Sequence, residues 1–183
     1  GRRMGGNTAK QFLELEGKPV LLRTIEMFRE CLPQASIILT LPQEYKDYWR
    51  NYCFEHNLWF KHVIASGGIT RFHSVKNALE YVPDGAVVAV HDGVRPFVPK
   101  KMLSDLFGFD FAKNGVAGVI PVMPSIESMR IYTYGDDGMP NGPRTVTRDE
   151  YMFVQTPQVF DSTILKDCYK KPYSPTFTDD ASV

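Results

Sequence analysis

The sequence predicts an α/β protein in which a mostly parallel sheet is covered by helices on both faces. Two observations carry this prediction: short apolar runs alternate with segments whose apolar residues recur at helical spacing, and polar motifs follow the apolar runs. Ligands of such sheets bind at the carboxyl ends of the strands, where these motifs would lie. The length of 183 residues suits one domain with a full hydrophobic core.

The individual elements follow from the spacing of the apolar residues. Four short apolar runs predict buried strands: 36–41, 60–65, 86–91 and 116–122. Four segments predict helices: 20–32, 44–56, 71–81 and about 100–114. The aromatic residues of the second helix recur at helical spacing, and we interpret them as core packing.

A segment at about residues 123–147 interrupts the alternation. It combines Tyr132 and Tyr134 with a turn at 135–138 and a cluster of Pro, Asn and Gly. This pattern predicts a β-hairpin or arm that projects from the domain. Because an exposed apolar arm normally packs against another surface, we expect it to pack on a second copy of the chain in a twofold dimer.

The composition excludes several classes of protein. Basic and acidic residues balance at 21 each, and a net charge of zero argues against a general nucleic-acid or membrane-surface binder. No apolar run is long enough to span a bilayer and no secretory signal is recognised, so a cytoplasmic protein is expected. The three cysteines lie far apart and are interpreted as reduced thiols.

Both ends of the sequence predict further structure. The chain opens within a Gly/Arg loop that no strand precedes, and it closes on residues 178–183, whose Thr-Asp-Asp-Ala-Ser pattern predicts the start of a helix. We therefore expect an N-terminal strand and a C-terminal tail of this fold to be missing from the sequence.

The first polar motif is the Gly-rich segment 1–12, GRRMGGNTAKQF. Its glycines would let backbone N–H groups approach a phosphate chain closely. Arg3 and Lys10 would add positive charge where nucleotidyl transfer develops negative charge. The segment matches neither the Walker loop nor the dinucleotide pattern, and by itself a flexible surface turn explains it equally well.

The second motif, SGGITRFHSV at 66–75, joins a predicted strand to a predicted helix. Its glycines expose backbone groups, Thr70 could cap the helix, and the helix N-terminus favours an anion or a base edge. An ordinary strand-to-helix turn is the alternative.

Two further motifs follow later strands. Asp92 and Arg95 come directly after the most apolar strand, where the sheet would present a ligand. Asp92 could bind a hydroxyl group or Mg²⁺, or form an ion pair with Arg95 only. Arg148 could hold a phosphate with two hydrogen bonds, and Thr156 could add a hydroxyl, although as isolated features both are more often surface residues.

Together, the motifs resemble those of the 2-C-methyl-D-erythritol 4-phosphate cytidylyltransferases of the non-mevalonate isoprenoid pathway. In chain order they are Gly-x-Arg-Met…Lys-Gln, Gly-Gly…Arg-x-x-Ser-Val, His-Asp-x-x-Arg-Pro, Thr-Pro-Gln and Thr-Asp-Asp-Ala-Ser, which span essentially the whole chain. The resemblance implies a three-layer, Rossmann-like nucleotidyltransferase fold and a homodimer. It also implies an enzyme that transfers CMP from CTP to a small sugar-alcohol phosphate, with Mg²⁺ or another divalent cation.

The resemblance also implies roles for individual residues. Arg3 and Lys10 match the pair that stabilises the transition state. The positions implied for the nucleotide are Gly1, Arg3, Lys10, Gly67, Gly68, Ser74 and Gly93. The positions implied for the acceptor substrate are Asp92, Arg95, Ser128, Arg148 and Thr156. Magnesium is expected mainly on the CTP phosphates, with Asp92 as a candidate ligand.

The sequence departs from the family pattern at two positions and leaves two alternatives open. Ile69 stands where an acidic residue is common, and Ser128 where Thr is common; we interpret both as tolerated. Ribitol-5-phosphate cytidylyltransferases have near-identical motifs, and only a panel of acceptors separates them. The other alternative is a non-catalytic nucleotide-binding module of the same fold, against which the presence of both Arg3 and Lys10 argues.

Overall fold

A computed structural model describes residues 9–183, so Gly1 and Arg3 lie outside the described residues. The helices are α1 (Val20–Cys31), α2 (Gln43–Glu55), α3 (Arg71–Leu79), α4 (Lys100–Phe107), α5 (Phe111–Asn114) and α6 (Ser162–Cys168). The strands are β1 (Glu14–Leu15), β2 (Lys18–Pro19), β3 (Ile37–Leu41), β4 (His62–Ser66), β5 (Val87–Val90), β6 (Gly118–Val119), β7 (Val122–Pro124), β8 (Arg130–Tyr134), β9 (Pro140–Thr145), β10 (Met152–Val154) and β11 (Gln158–Asp161). Short 3-10 helices cover Lys10–Phe12 and Arg148–Glu150.

Two predicted elements are divided in the structure. The helix predicted at about 100–114 is split into α4 and α5, because Gly108 ends the first and Asp110 caps the second by accepting a bond from the Lys113 N–H at 2.9 Å. The strand predicted at 116–122 is split into β6 and β7 around Pro121, which has no N–H to offer a neighbouring strand.

The sheet is more mixed than the sequence predicts. Strands β3 and β4 pair in parallel, with Ile37 opposite His62. Strand β11 lies between β5 and β6 and runs antiparallel to both. The α/β class is confirmed, whereas the mostly parallel sheet is not: among the described residues, every other pairing is antiparallel. No helix separates β10 from β11, so β11 does not follow a helical crossover of the kind that joins parallel strands.

The core has two parts. The first forms around Trp49 of α2, which is 0% exposed and donates from Nε1 to His62 Nε2 at 3.0 Å. Phe12 and residues of α1 and β3 surround it, and Tyr45 and Tyr52 pack against the same cluster, as the sequence predicts. Tyr48, which the same prediction included, is 48% exposed. The second part joins α3, β11 and α6 through Phe72, Phe160 and Tyr169.

The predicted hairpin is present in residues 123–147. Strands β8 and β9 pair antiparallel, with Arg130 opposite Thr145, and most of their side chains are exposed. Its base is a second ribbon, in which β7 pairs antiparallel with β10. We call residues 122–154, with both ribbons and the 3-10 helix between them, the arm.

The three cysteines are free thiols in the structure. Cys53 is buried, and its burial raises the pKa of the thiol. Of the helices in residues 9–183, none is both long and apolar enough to cross a membrane. The cytoplasmic location stays a prediction.

Candidate active site

The Gly67–Gly68 loop connects the end of β4 to the start of α3. Gly67 N–H donates to the Leu41 carbonyl at 2.8 Å, and Gly68 N–H donates to Ser74 Oγ at 2.9 Å. Ser74 Oγ in turn donates to the Thr70 carbonyl at 3.1 Å, and the Thr70 side chain caps α3. The loop is therefore fixed against β3 and the first turn of α3 by its own hydrogen bonds.

Packing alone requires glycine at position 68. A Cβ atom there would lie 2.3 Å from His73 Cβ and 2.7 Å from the His73 carbonyl carbon. At Gly67, a Cβ would lie 3.1 Å from the Leu41 carbonyl carbon. The sequence predicts that these glycines let a ligand approach the backbone; the structure adds that the free protein needs Gly68 for the loop itself.

Three residues predicted to bind the acceptor converge beyond the end of β5. Asp92 Oδ2 accepts a hydrogen bond from Arg95 Nε at 2.9 Å. The Asp92 backbone N–H donates to Thr156 Oγ1 at 3.3 Å, which joins the loop after β5 to the turn before β11. Arg95 also donates to Gln155 Oε1 at 2.7 Å, so its guanidinium is held on two sides.

A cavity of about 320 Å³ opens at this point. Its lining comes from α3, the loop after β5, the end of β10 with the turn before β11, and the last turn of the chain: Arg71, Asp92, Arg95, Val154, Gln155, Thr156, Gln158, Thr178 and Asp179. Two guanidinium groups and two carboxylates are among these lining residues, a combination suited to a small ligand that carries both hydroxyl groups and a negative charge.

One side of the cavity is held by an ion pair between the partly exposed Arg71 and the buried Asp180, to which the sequence assigned no role. Arg71 donates to both oxygens of Asp180, at 2.8 Å and 2.5 Å, and Tyr169 Oη donates to Asp180 Oδ1 at 2.6 Å. Burial and the charge of Asp180 raise the pKa of Tyr169, so its hydroxyl remains a donor. Arg71 Nε also lies 3.8 Å from Asp92 Oδ1 and so links this pair to the predicted acceptor site.

Gln158 holds the last turn of the chain on the same side of the cavity as the Arg71–Asp180 pair. The Gln158 side chain is buried; its Oε1 accepts from the N–H groups of Asp180 and Ala181 at 3.0 Å and 3.1 Å, and its Nε2 donates to Asp179 at 2.8 Å. Asp179 and Ser182 exchange side-chain bonds with each other's backbone N–H, at 3.0 Å and 3.2 Å. This reciprocal pattern is typical of a helix N-terminus. Residues 178–183 themselves form bends and turns, so the helix start remains a prediction.

The His91 side chain contacts the backbone of the Asp92–Arg95 turn. Its Nε2 lies 2.9 Å from the Arg95 carbonyl, and its ring meets Phe28 edge-on with centroids 5.0 Å apart. The buried Nδ1 has no hydrogen-bond partner among residues 9–183. Burial lowers the pKa of His91 below its usual range, so the neutral ring with a proton on Nε2 fits this setting.

Comparison with known proteins decides the family. The family model described as 2-C-methyl-D-erythritol 4-phosphate cytidylyltransferase matches residues 1–183. The chain belongs to this family. The resemblance stated from the motifs, and the enzyme class that it implies, are therefore confirmed.

Individual relatives agree with this assignment. The 2-C-methyl-D-erythritol 4-phosphate cytidylyltransferase of Bacteroides fragilis is 48% identical over 183 residues, which are 100% of this chain and 80% of that protein. The protein of the same name from Bacteroides thetaiotaomicron is 46% identical with the same coverage. The crystal structure of the Francisella tularensis protein is 27% identical and superposes with a TM-score of 0.72, covering 97% of this chain and 79% of that one.

The other positions that the cytidylyltransferase resemblance implies are not among the residues that line the cavity. Lys10 is exposed in the first 3-10 helix, two residues before the buried Phe12. The Gly93 carbonyl accepts from Thr24 Oγ1 at 3.1 Å. Ser128 is exposed between β7 and β8. Arg148 is exposed too, and its Nη1 donates to the Ile126 carbonyl at 2.9 Å.

Neither Ser128 nor Arg148 is among the residues that line the cavity of their own chain. Both residues lie in the arm. The hydrogen bond of 2.9 Å from Arg148 Nη1 to the Ile126 carbonyl is also within the arm. The structure therefore separates the residues predicted for the acceptor into a set at the cavity and a set in the arm.

The described side chains do not form a metal site for a cytidylyltransferase. No cluster of three or more His, Cys, Asp or Glu side chains with metal-binding geometry occurs within residues 9–183. Asp92, the candidate magnesium ligand, has one oxygen bonded to Arg95 and the other 3.8 Å from Arg71. Two cations already neutralise this carboxylate, so it does not fit the role of a magnesium ligand in this arrangement.

Proposed function

We propose that this chain transfers CMP from CTP to the phosphate of 2-C-methyl-D-erythritol 4-phosphate and releases pyrophosphate, as a step in isoprenoid precursor biosynthesis. The observation that carries the proposal is the match of its family across residues 1–183. The cavity supports it, because Asp92, Arg95 and Thr156, three positions implied for the acceptor, meet there.

The reaction would be an in-line displacement at the α-phosphorus of CTP. An oxygen of the acceptor phosphate forms the new P–O bond, and the bond from the α-phosphorus to the bridging oxygen breaks, so that pyrophosphate leaves with the electron pair. The nucleophile is already an anion, and no general base is needed. Positioning and neutralisation of charge would then supply most of the rate.

Lys10 and Arg3 are the groups we assign to the charge that grows on the α-phosphate and the bridging oxygen. The neighbouring Phe12 anchors the Lys10 segment, since its ring packs against Tyr45 and Tyr48 with centroids 5.4 Å and 4.6 Å apart. Lys10 itself is exposed, which leaves its ammonium group available to a phosphate.

CTP would lie along the Gly67–Gly68 loop, with Gly1, Ser74 and Gly93 as the other proposed nucleotide contacts. The amino end of α3 points its partial positive charge towards this loop. The acceptor would lie in the cavity, where Asp92 can accept hydrogen bonds from hydroxyl groups and Arg95 can face the phosphate. Since the described residues do not fit a protein-held magnesium site, we propose that Mg²⁺ enters with the triphosphate as part of the nucleotide substrate.

The arm supplies the second part of the proposal. We infer that it packs on a twofold-related copy and brings Arg148 and Ser128 to the cavity of that copy. Exposed apolar side chains along both of its ribbons support this, among them Met123, Phe153 and Tyr134. The protein would then be a homodimer with two composite sites, in the three-layer nucleotidyltransferase fold that its family membership implies.

The test measures pyrophosphate release with CTP and an acceptor. Release with 2-C-methyl-D-erythritol 4-phosphate, and much less with ribitol 5-phosphate or with ATP in place of CTP, is the expected result. Lys10→Ala should lower turnover, because it should raise the activation free energy by on the order of 3 kcal/mol. Lys101→Ala, which removes an exposed lysine of α4, is the matched control and should leave turnover unchanged. Preference for ribitol 5-phosphate, or near-normal turnover of the Lys10 variant, would contradict the assignment.

A further inference from the structure

A buried lysine lies behind the proposed nucleotide loop. Lys46, on α2, is only 9% exposed, and its ammonium group donates to Ser66 Oγ at 2.8 Å. Ser66 is the last residue of β4 and directly precedes Gly67. The loop assigned to CTP therefore begins at the residue that this lysine holds.

The ammonium group of Lys46 has no acidic partner in the chain as described. None of the ion pairs among residues 9–183 involves it. Residues 1–8 contain neither Asp nor Glu. Among residues 9–183, the one hydrogen-bond partner of the Lys46 ammonium group is the Ser66 hydroxyl. Covering a charged side chain with a single hydroxyl as partner costs folding free energy, because the hydroxyl replaces only part of its hydration. Packing of the core alone would favour an apolar side chain of similar length at this position.

Ser66 is held from three sides. Lys46 holds its hydroxyl from α2, and Asn77 Nδ2 of α3 donates to its carbonyl at 3.0 Å. The next residue, Gly67, donates to the Leu41 carbonyl of β3 at 2.8 Å. The direction in which the chain leaves β4, and with it the position of Gly68, depends on these bonds.

Helix α2 also contacts the segment that contains Lys10, the proposed catalytic lysine. Tyr45, the residue before Lys46, packs against Phe12 with ring centroids 5.4 Å apart, and Phe12 anchors the segment of Lys10. Adjacent residues of one helix thus contact the Lys10 segment and the start of the nucleotide loop. A rigid helix between them fixes the spacing of the two.

We propose that Lys46, acting through Ser66, is a positioning residue that holds the nucleotide loop in the arrangement that binds CTP. The proposal rests on the proposed function, because it assigns CTP to the Gly67–Gly68 loop. Lys46 does not contact the substrate in this scheme. It holds the loop in place at a cost to the stability of the free protein.

The test uses Lys46→Met, which keeps the length of the side chain and removes its charge and its hydrogen bond. We expect KM and the dissociation constant for CTP to rise about tenfold, the size of one hydrogen bond from a charged group. We expect kcat and KM for the acceptor to stay within about twofold, because neither depends on this loop. The melting temperature should stay unchanged or rise, which a purely structural role for Lys46 would not produce.

Two matched variants sharpen the result. Arg50→Met lies one turn further along α2 and removes an exposed cation paired with Asp47, and it should change none of these quantities. Ser66→Ala removes the other partner of the bond and should raise KM for CTP as Lys46→Met does. The double variant should be no worse than either single variant, since both remove the same contact.

The outcomes separate this proposal from the proposed function. Dissociation constants for CTP from calorimetry do not depend on turnover, so a protein that binds CTP without catalysis still tests Lys46. Unchanged CTP affinity in Lys46→Met, a clear loss of melting temperature, or additive effects in the double variant would each overturn the positioning role. If the unsubstituted protein binds no CTP, both the proposed function and this proposal are wrong.

Discussion

The two regions that carry the predicted acceptor residues differ in how they are held. At the cavity, Asp92 is bonded to both Arg95 and Thr156, and the ion pair between Arg71 and the buried Asp180 supports them. In the arm, Arg148 and Ser128 are exposed, and Arg148 bonds only to nearby backbone and to Asp149 within the described residues. One region is organised within a single chain, whereas the other presents its charged and apolar groups outward.

This difference indicates which parts of the site a single chain can complete. Charges bonded on several sides are pre-organised and lose little entropy when a ligand binds. An exposed arginine on an apolar arm gains its contacts only when another surface covers it. Variants in each region test this difference separately.

Subunit mixing should give the largest effect. Lys10→Ala and Arg148→Ala proteins should each be nearly inactive alone, since each lacks one proposed half of the composite site. When they are refolded together in equal amounts, about half of the dimers are mixed and each has one intact site, so roughly a quarter of normal activity should return. If the mixture stays inactive although subunit exchange is confirmed, Arg148 acts within its own chain and the contrast between the two regions does not hold.

Loss of the Arg71–Asp180 pair should give the next largest effect, which is on stability. Asp180→Ala removes a buried carboxylate that accepts bonds from Arg71 and Tyr169. We expect the free energy of unfolding to fall by about 2–3 kcal/mol, the low end for a broken buried pair because Arg71 is partly exposed. Urea denaturation measures this, with Asp47→Ala, which breaks the exposed pair with Arg50, as the control that should change little. Equal stability of the two variants would show that the cavity side is not pre-organised by this pair.

A smaller effect is expected from the arm. Tyr132 of the hairpin and Tyr81, which follows α3, are both 54% exposed. If the arm packs on a second copy, Tyr132→Ser should raise the dimer dissociation constant about tenfold, and Tyr81→Ser should leave it unchanged. Sedimentation across a range of concentrations distinguishes these results. The same dissociation constant for both variants would place the interface elsewhere.

The smallest expected effect is a pH dependence that belongs to the cavity region alone. Burial lowers the pKa of His91; the hydrogen bond to the Arg95 carbonyl and the charge of Asp92 oppose that shift, and the Arg95 guanidinium adds to it. The unfolded chain therefore binds the proton more readily. Stability from this group is complete above the ordinary pKa of about 6.5 and declines as the pH falls towards the folded value.

His91→Gln isolates that contribution. Its amide can still donate to the Arg95 carbonyl but cannot titrate, so its unfolding free energy should fall less between pH 7.5 and pH 5.5 than that of the unsubstituted protein. The arm contains no histidine, and dimer strength should not follow this titration. The same decline with pH in both proteins would assign the effect to other groups.

Local patterns explain what the sequence predicted and what it missed. The aromatic spacing in α2 predicts its buried face because a helix turns side chains with fixed periodicity. The Arg71–Asp180 pair joins residues 109 positions apart, and no periodicity relates them, although both stand in the motifs that identify the family. Lys46 was equally hidden, since a lysine within an amphipathic helix normally predicts a solvated face.

Trp49 gives the protein an internal optical signal. The sequence has two tryptophans: Trp49 is 0% exposed beside Phe12, and Trp59 is 76% exposed. A buried indole emits at shorter wavelength than a hydrated one, so the two residues contribute separable parts of the fluorescence spectrum. Because Phe12 holds the Lys10 segment and lies 6.4 Å from the Trp49 ring, the short-wavelength part should report whether that segment is seated. Stopped-flow emission could then follow the movement of the segment in time without any added label.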